Sequence, residues 1–234
     1  YPLLQSKYAQ SNVIGCFKDI HERLLNLQPV LFSGTSCQVD ALYRYLGKEY
    51  ENLYTIDLIC HGVPGEKFFA DYIKYLENQN NSTIVSFSFR DKIKGKIEYI
   101  QHVKYQNGQE IRTSVEKSDY YKLFFREDSY RQGCYNCEYA SINKPADITA
   151  GDYFECQKDY PQMFIEDGIL SKIQSLSCCI SHNEKGKKLL LLYGNELNLI
   201  PADLRKIQNS HNNLCFPSNP TDMREKVMSL YAKG

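Results

Sequence analysis

The chain has 234 residues, 28 Lys plus Arg against 28 Asp plus Glu, and 42% hydrophobic residues, so its formal charge is zero. That length suits one large core or two small ones. The neutral balance, with no basic run, argues against a nucleic-acid partner, and no apolar run approaches the ~18 residues of a membrane span.

The chain opens at Tyr1, without Met or a signal-peptide pattern, inside what reads as a structured segment. This predicts a fragment of a longer protein. Apolar residues at Phe17, Ile20, Leu24 and Leu27 predict a helix over 13–28, ended by Pro29. Val30 to Ser33 reads as a short buried strand. Gln38 to Leu46 reads as a helix with Gly47 as its C-cap. A second strand over Leu53 to Ile59 and a helix over Glu66 to Gln79 follow. This strand–helix–strand–helix order predicts a βαβ unit with parallel strands. Residues 83 to 91 alternate like a half-buried strand, and 96 to 116 read as a hairpin around Asn107-Gly108. A short helix over Ser118 to Phe125 has Ser118 as its N-cap. Residues 126 to 156 read as loop-rich. Leu176 to Ser181 reads as a buried strand, Lys185 to Tyr193 as a helix, and Thr221 to Ala232 as a helix capped by Thr221. The whole is an α/β fold: βαβ units with a mixed sheet and an antiparallel hairpin insertion, in one domain over 1–234.

Nine cysteines are present. The odd number and the chain length argue against a disulfide framework and for a reducing, cytoplasmic compartment. "LFSGTSCQVD" places Cys37 in the turn between the first strand and its helix. "LICHGVPG" places Cys60 just after the second strand. Ligands of parallel α/β sheets gather outside the carboxyl ends of the strands. If the two strands are parallel neighbours, both thiols emerge on one edge. Helix N-termini there stabilise a thiolate, and Gly34 and Gly62 leave room for a bulky inorganic group. "GCYNCEY" holds Cys134 and Cys137 as a C-x-x-C, a spacing that chelates one metal or two corners of a cluster. Together these make four thiolates, which suit a [4Fe–4S] cluster or a four-cysteine zinc site; spacing does not choose, nor does it exclude a dithiol. The plainer reading of a single buried cysteine is a small hydrophobe. Cys178-Cys179 lies in a strand, so its side chains point to opposite faces and packing is the default there.

These residues sit in blocks that resemble a known family. "QSKYAQS", "VLFSGTSCQVDAL", "DLICHGVPGEKFF", "SFSFRDKIKG", "YYKLFFRE" and "CYNCEYASINKPADITAGDYF" are similar to the signature blocks of the coenzyme F-420 hydrogenase/dehydrogenase beta-subunit family. The resemblance covers most of residues 5 to 155 and is weak over 156–234. Family members are flavoproteins that carry FAD and a [4Fe–4S] cluster. In methanogens they exchange electrons with the deazaflavin coenzyme F-420. Many bacterial relatives carry an N-terminal ferredoxin-like domain, absent from this chain.

The resemblance implies that Cys37, Cys60, Cys134 and Cys137 ligate the cluster. It also implies that Lys7, Ser33, Gly34, Thr35, Ser36, His61, Asp147, Gly151 and Asp152 lie near the flavin. Two departures stand out. Ser36 replaces a usual Pro, and "GDYFEC" stands where Gly-Asp-Phe-Trp-Gly is common. The expected function is an iron–sulfur flavoprotein oxidoreductase. Electrons would come from a ferredoxin-like domain or protein, cross the cluster to FAD, and pass to coenzyme F-420 or another small hydride acceptor. The rival readings are a non-catalytic adaptor around a structural zinc and a thiol–disulfide oxidoreductase using Cys134 and Cys137.

Overall fold

The computed structural model describes residues 8–91, 100–170 and 176–233. In chain order the strands are β1 (Val30–Ser33), β2 (Leu53–Leu58), β3 (Ile84–Ser88), β4 (Ile100–Tyr105), β5 (Glu110–Ser114), β6 (Ile148–Asp152) and β7 (Ser177–Ser181). The helices are α1 (Phe17–Leu25), α2 (Ser36–Leu46), α3 (Glu66–Asn80), α4 (Asp119–Phe125), α5 (Cys156–Asp159), α6 (Glu184–Leu192), α7 (Gly194–Leu197), α8 (Leu204–Ser210) and α9 (Arg224–Lys233). The chain divides into two compact units. A parallel-sheet unit takes Asn12–His61 and Cys137–Pro217, and a hairpin unit takes Tyr1–Ser11, Gly62–Asn136 and Ser218–Gly234.

The parallel-sheet unit is built on a four-stranded sheet of order β1-β2-β6-β7. β1, β2 and β6 run parallel, and β7 is antiparallel to β6. β1, α2 and β2 form the expected βαβ unit. Apolar residues three and four apart on α1 (Phe17, Ile20, Leu24) and α2 (Val39, Leu42, Leu46) are buried with Phe32 and Leu53. Val39 and Leu42 lose all exposure; burial of this kind contributes ~1.5–3 kcal/mol per side chain. Gly47 ends α2 at φ 67°, the left-handed conformation that glycine adopts without a Cβ clash. A second cluster gathers Ile59, Tyr153, Cys156, Cys178, Ile180, Ile207 and Leu214.

Three expectations are corrected here. The stretch 126–156 is not all loop: its end forms β6, an inner strand of the sheet. "ITAGD" carries Gly and Asp, which disfavour strands, but pairing on both sides overrides that weak preference. Leu27 is not on the buried face of α1. It follows the helix end at φ 58° and is 84% exposed. The C-terminal helix begins at Arg224, three residues after Thr221. Thr221 still serves the turn before it, accepting at Oγ1 from the Met223 N–H (3.2 Å).

The hairpin unit holds the antiparallel sheet β3-β4-β5. β4 and β5 join through Asn107-Gly108, with Gly108 at φ 87° as the turn requires. The part of the expected hairpin before Ile100 lies outside the described residues. The core here is aromatic: Phe89, Tyr120, Tyr121, Phe124, Tyr130 and Tyr135. Buried tyrosines need partners for their hydroxyls. Tyr120 donates to the Tyr8 carbonyl (2.7 Å), and Tyr121 donates to the Phe89 carbonyl. Ser118 caps α4 by accepting from the Tyr121 N–H. Among the described residues, no helix is long and apolar enough to cross a membrane.

Candidate functional site

The carboxyl ends of β1, β2 and β6 share one edge of the parallel-sheet unit. After β1 the backbone is held to the sheet once more by Gly34 N–H to the Ile56 carbonyl (3.1 Å), and then turns into α2. A Cβ at Gly34 would stand 3.0 Å from Gln38 Oε1 and 3.3 Å from the Phe32 ring, so the turn fits glycine closely. Gln38 folds back to accept the Thr35 N–H (2.9 Å), which fixes the start of α2. Cys37 sits on that first helical turn, exposed, with its sulfur 3.1 Å from Thr35 Oγ1. Ser36 is buried beside it. β2 delivers Cys60, half-buried, and His61, exposed, at the same edge, after Ile59 N–H closes on the Ala150 carbonyl (3.0 Å).

The segment after Cys137 is tied to the start of α2. Tyr139 donates to Asp40 Oδ2 (2.8 Å), and Lys144 Nζ donates to the Tyr139 carbonyl (2.5 Å) and reaches Ser36 Oγ (3.5 Å). Lys144 is half-buried in electrostatic reach of Asp57, Cys60 and Cys137. Burial lowers its pKa, and the three acidic neighbours oppose that shift. A sequestered ammonium beside two thiols is suited to an anionic group held by thiolates.

Cys37, Cys60 and Cys137 belong to the parallel-sheet unit, while Cys134 lies in the 3-10 turn Gln132–Asn136 of the hairpin unit. Among the described residues, no three His, Cys, Asp or Glu side chains converge closely enough to hold a single metal ion. Ser33, Gly34, Thr35, Ser36 and His61 lie at the carboxyl edge. Gly151 and Asp152 end β6 there. A Cβ at Gly151 would stand 2.6 Å from the Ile59 side chain, so glycine is what lets the two segments approach. Asp147 is placed elsewhere. It precedes β6 at the amino edge, 2% exposed, and accepts from Thr55 N–H (2.7 Å), Thr55 Oγ1 (3.0 Å) and Asn183 Nδ2 (2.8 Å). Lys7 lies outside the described residues. Tyr153 of "GDYFEC" is buried and donates to Asp159 Oδ2 (2.8 Å), while Phe154 is 57% exposed.

Three residues of this region were not singled out by the sequence. Lys144 looks like one more loop lysine in "SINKPAD". His211, far along the chain, lies 3.9 Å from the Cys178 sulfur and within electrostatic reach of His61. His182 follows β7 and hydrogen-bonds Thr149 Oγ1 (2.7 Å). Pairing of β7 with β6 sets His182 beside Asp147 at the start of β6, and no local motif announces any of the three.

A family model that describes the C terminus of the beta subunit of coenzyme F420 hydrogenase/dehydrogenase matches residues 27–199. No curated protein matches the chain. The family match covers the βαβ unit, the C-x-x-C, β6 and β7, and it reaches past residue 156. The chain belongs to the coenzyme F420 hydrogenase/dehydrogenase beta-subunit family, through the domain that ends those proteins, as its signature blocks led us to expect.

Proposed function

We propose that this domain is an iron–sulfur flavoprotein oxidoreductase module, in which Cys37, Cys60, Cys134 and Cys137 hold a [4Fe–4S] cluster and FAD lies beside it. The observation that carries the proposal is the carboxyl edge of the parallel-sheet unit. There Cys37 and Cys60 leave the ends of neighbouring parallel strands, and half-buried Lys144 lies in reach of both Cys60 and Cys137. The donors are all sulfur, which selects iron–sulfur clusters or zinc over hard cations.

The chain's own residues have definable parts in this reading. The first turn of α2 presents Cys37, exposed, at the carboxyl edge of the sheet. Lys144 offsets part of the negative charge that four thiolates bring, and its bonds to Ser36 and the Tyr139 carbonyl hold the post-Cys137 segment against α2. Ser33 to Ser36, His61, Gly151 and Asp152 furnish hydroxyls, an imidazole, a carboxylate and close backbone approach for a flavin on the same edge. Lys7 is a further candidate for a flavin or phosphate contact. Asp147 is left to hold the sheet. When bound, a cluster supplies one-electron steps and a flavin pairs them into hydride. A ferredoxin-like domain or protein is the electron donor, and coenzyme F-420 or another small hydride acceptor is the partner on the other side. Nine cysteines, an odd number, suit a reducing, cytoplasmic compartment.

The test is a visible spectrum of anaerobically purified protein, with iron, sulfide, zinc and flavin assayed on the same sample. About four irons per chain, lost in Cys37→Ser and Cys60→Ser variants, is the expected result for a four-thiolate cluster. One zinc per chain and no colour would replace this reading with a structural site. No metal, together with reversible oxidation of Cys134 and Cys137, would replace it with dithiol chemistry.

A further inference from the structure

Asp57 is the most unusual ionisable residue of the parallel-sheet unit. It lies in β2, three residues before Cys60, with no solvent exposure. Its Oδ1 accepts from Thr149 Oγ1 (2.5 Å), and its Oδ2 has no hydrogen-bond partner among the described residues. Thr149, its register partner on β6, is also fully buried. Thr149 Oγ1 in turn meets His182 Nε2 at 2.7 Å. His182 is half-exposed, and its backbone is fixed by N–H to the Asp147 carbonyl (3.0 Å).

A brace between strands does not need a carboxylate. A buried charge with one hydrogen bond is expensive, and an amide or hydroxyl would tie β2 to β6 at lower cost. The donor order is also directional. Thr149 has one hydroxyl proton and gives it to Asp57, so its lone pair takes the proton on His182 Nε2. The line runs N–H to O–H to carboxylate, from a half-exposed ring to the strand that delivers Cys60.

We propose that Asp57, Thr149 and His182 form a proton relay that exchanges protons between solvent at His182 and the carboxyl edge carrying Cys60. In the inward step the imidazolium loses its Nε2 proton to Thr149 Oγ1 as the Thr149 hydroxyl proton passes to Asp57 Oδ1. Asp57 becomes a carboxylic acid, and His182 becomes a neutral imidazole that solvent reprotonates. No electron is needed for the transfer. The proton's use rests on the function proposed above: an electron arriving at a thiolate-held group adds negative charge, and a proton on Asp57 compensates it. Among the described residues, the charged and titratable groups facing the relay are Lys144, from the segment before β6, and Tyr43, from α2. Lys144 acts on both Asp57 and His182, and it alone among them also faces Cys60 and Cys137.

The first measurement is a histidine-imidazole NMR titration of the chain without added groups, in wild type, Asp57→Asn, Thr149→Val and Thr149→Ser, each checked for folding by circular dichroism. Burial holds the His182 pKa below the ordinary imidazole value and the Asp57 carboxylate partly offsets that, so Asp57→Asn lowers it further. Thr149→Ser keeps the wild-type profile, whereas Thr149→Val loses the protected Nε2–H signal. The second is the midpoint potential of the reconstituted protein against pH. The wild type and Thr149→Ser fall by up to ~59 mV per pH unit, the one-proton, one-electron limit, and Thr149→Val is flat. A His182 titration unmoved by Asp57→Asn overturns the relay, as does an unchanged slope in Thr149→Val. If reconstitution yields no redox-active group, the function proposed above fails, and the histidine titration alone decides the relay.

Discussion

Asp147 separates a structural role from a cofactor role in one experiment. Its carboxylate accepts three hydrogen bonds while 2% exposed, from Thr55 N–H, Thr55 Oγ1 and Asn183 Nδ2. Thr55 Oγ1 also meets the Tyr43 hydroxyl (2.8 Å), and Asn183 caps α6 by accepting from Gly186 N–H (2.8 Å). One carboxylate therefore joins α2, β2, β6 and the start of α6. Asp147→Ala leaves the buried Thr55 N–H and the Asn183 amide without their acceptor. Hydrogen bonds to charged acceptors contribute ~1.5–3 kcal/mol each, and buried donors left unpaired cost ~1–3 kcal/mol. Because the three bonds share one acceptor and are not additive, the expected loss is ~3–5 kcal/mol. For a chain of this size that is a fall of roughly 6–20 °C in Tm. The assay is thermal and urea unfolding by circular dichroism on protein freed of flavin, with flavin affinity measured separately on Asp147→Asn. Unfolding of Asp147→Ala within ~1 kcal/mol of wild type, with flavin affinity down at least tenfold in Asp147→Asn, would refute the structural assignment.

Gly186→Ala puts a methyl group against the Asp147 carbonyl, and backbone cannot yield, so α6 must lift from β6. The expected cost is ~2–4 kcal/mol in the same unfolding assay, whereas Gly15→Ala, with open space around it, stays within ~0.5 kcal/mol of wild type. Burial pushes the Cys178 thiol up to about 11 from the ordinary 9.0. The folded state therefore holds that proton more tightly than the unfolded state does. This contribution is complete below pH 9 and is lost as pH rises from 9 towards 11, by up to ~2–3 kcal/mol. A Cys178→Ala variant should lose less stability over that interval in parallel urea titrations. Arg224 of α9 donates to the Tyr130 carbonyl (2.9 Å) and lies 4.6 Å from the Tyr135 ring centre, beside Cys134 in sequence. Arg224→Ala should raise the alkylation rate of Cys134 several-fold while leaving that of Cys37 unchanged; equal rates at Cys134 would show that the contact does not hold the turn.

How much was legible from the sequence depended on the range of the interaction involved. Helix α2 ends at Gly47 because a local apolar repeat and a local left-handed residue say so. The β4–β5 turn at Asn107-Gly108 and the Ser118 cap are equally local. The same is true of Cys37 and Cys60, since a strand followed by a turn and a helix puts a turn residue at the strand's carboxyl edge. The quoted blocks carried the family, which the match over 27–199 bears out. What lay beyond the sequence was set by pairing between distant segments. "ITAGD" becomes an inner strand only because β2 and β7 hydrogen-bond it on both sides. That pairing makes Asp147 a buried acceptor. It lines Asp57, Thr149 and His182 up across three segments, and it brings Lys144 within reach of Cys60. Each of these residues is chemically ordinary in isolation. The tertiary structure alone decides which of them lose water, and loss of water is what gives a carboxylate or an amine its functional weight.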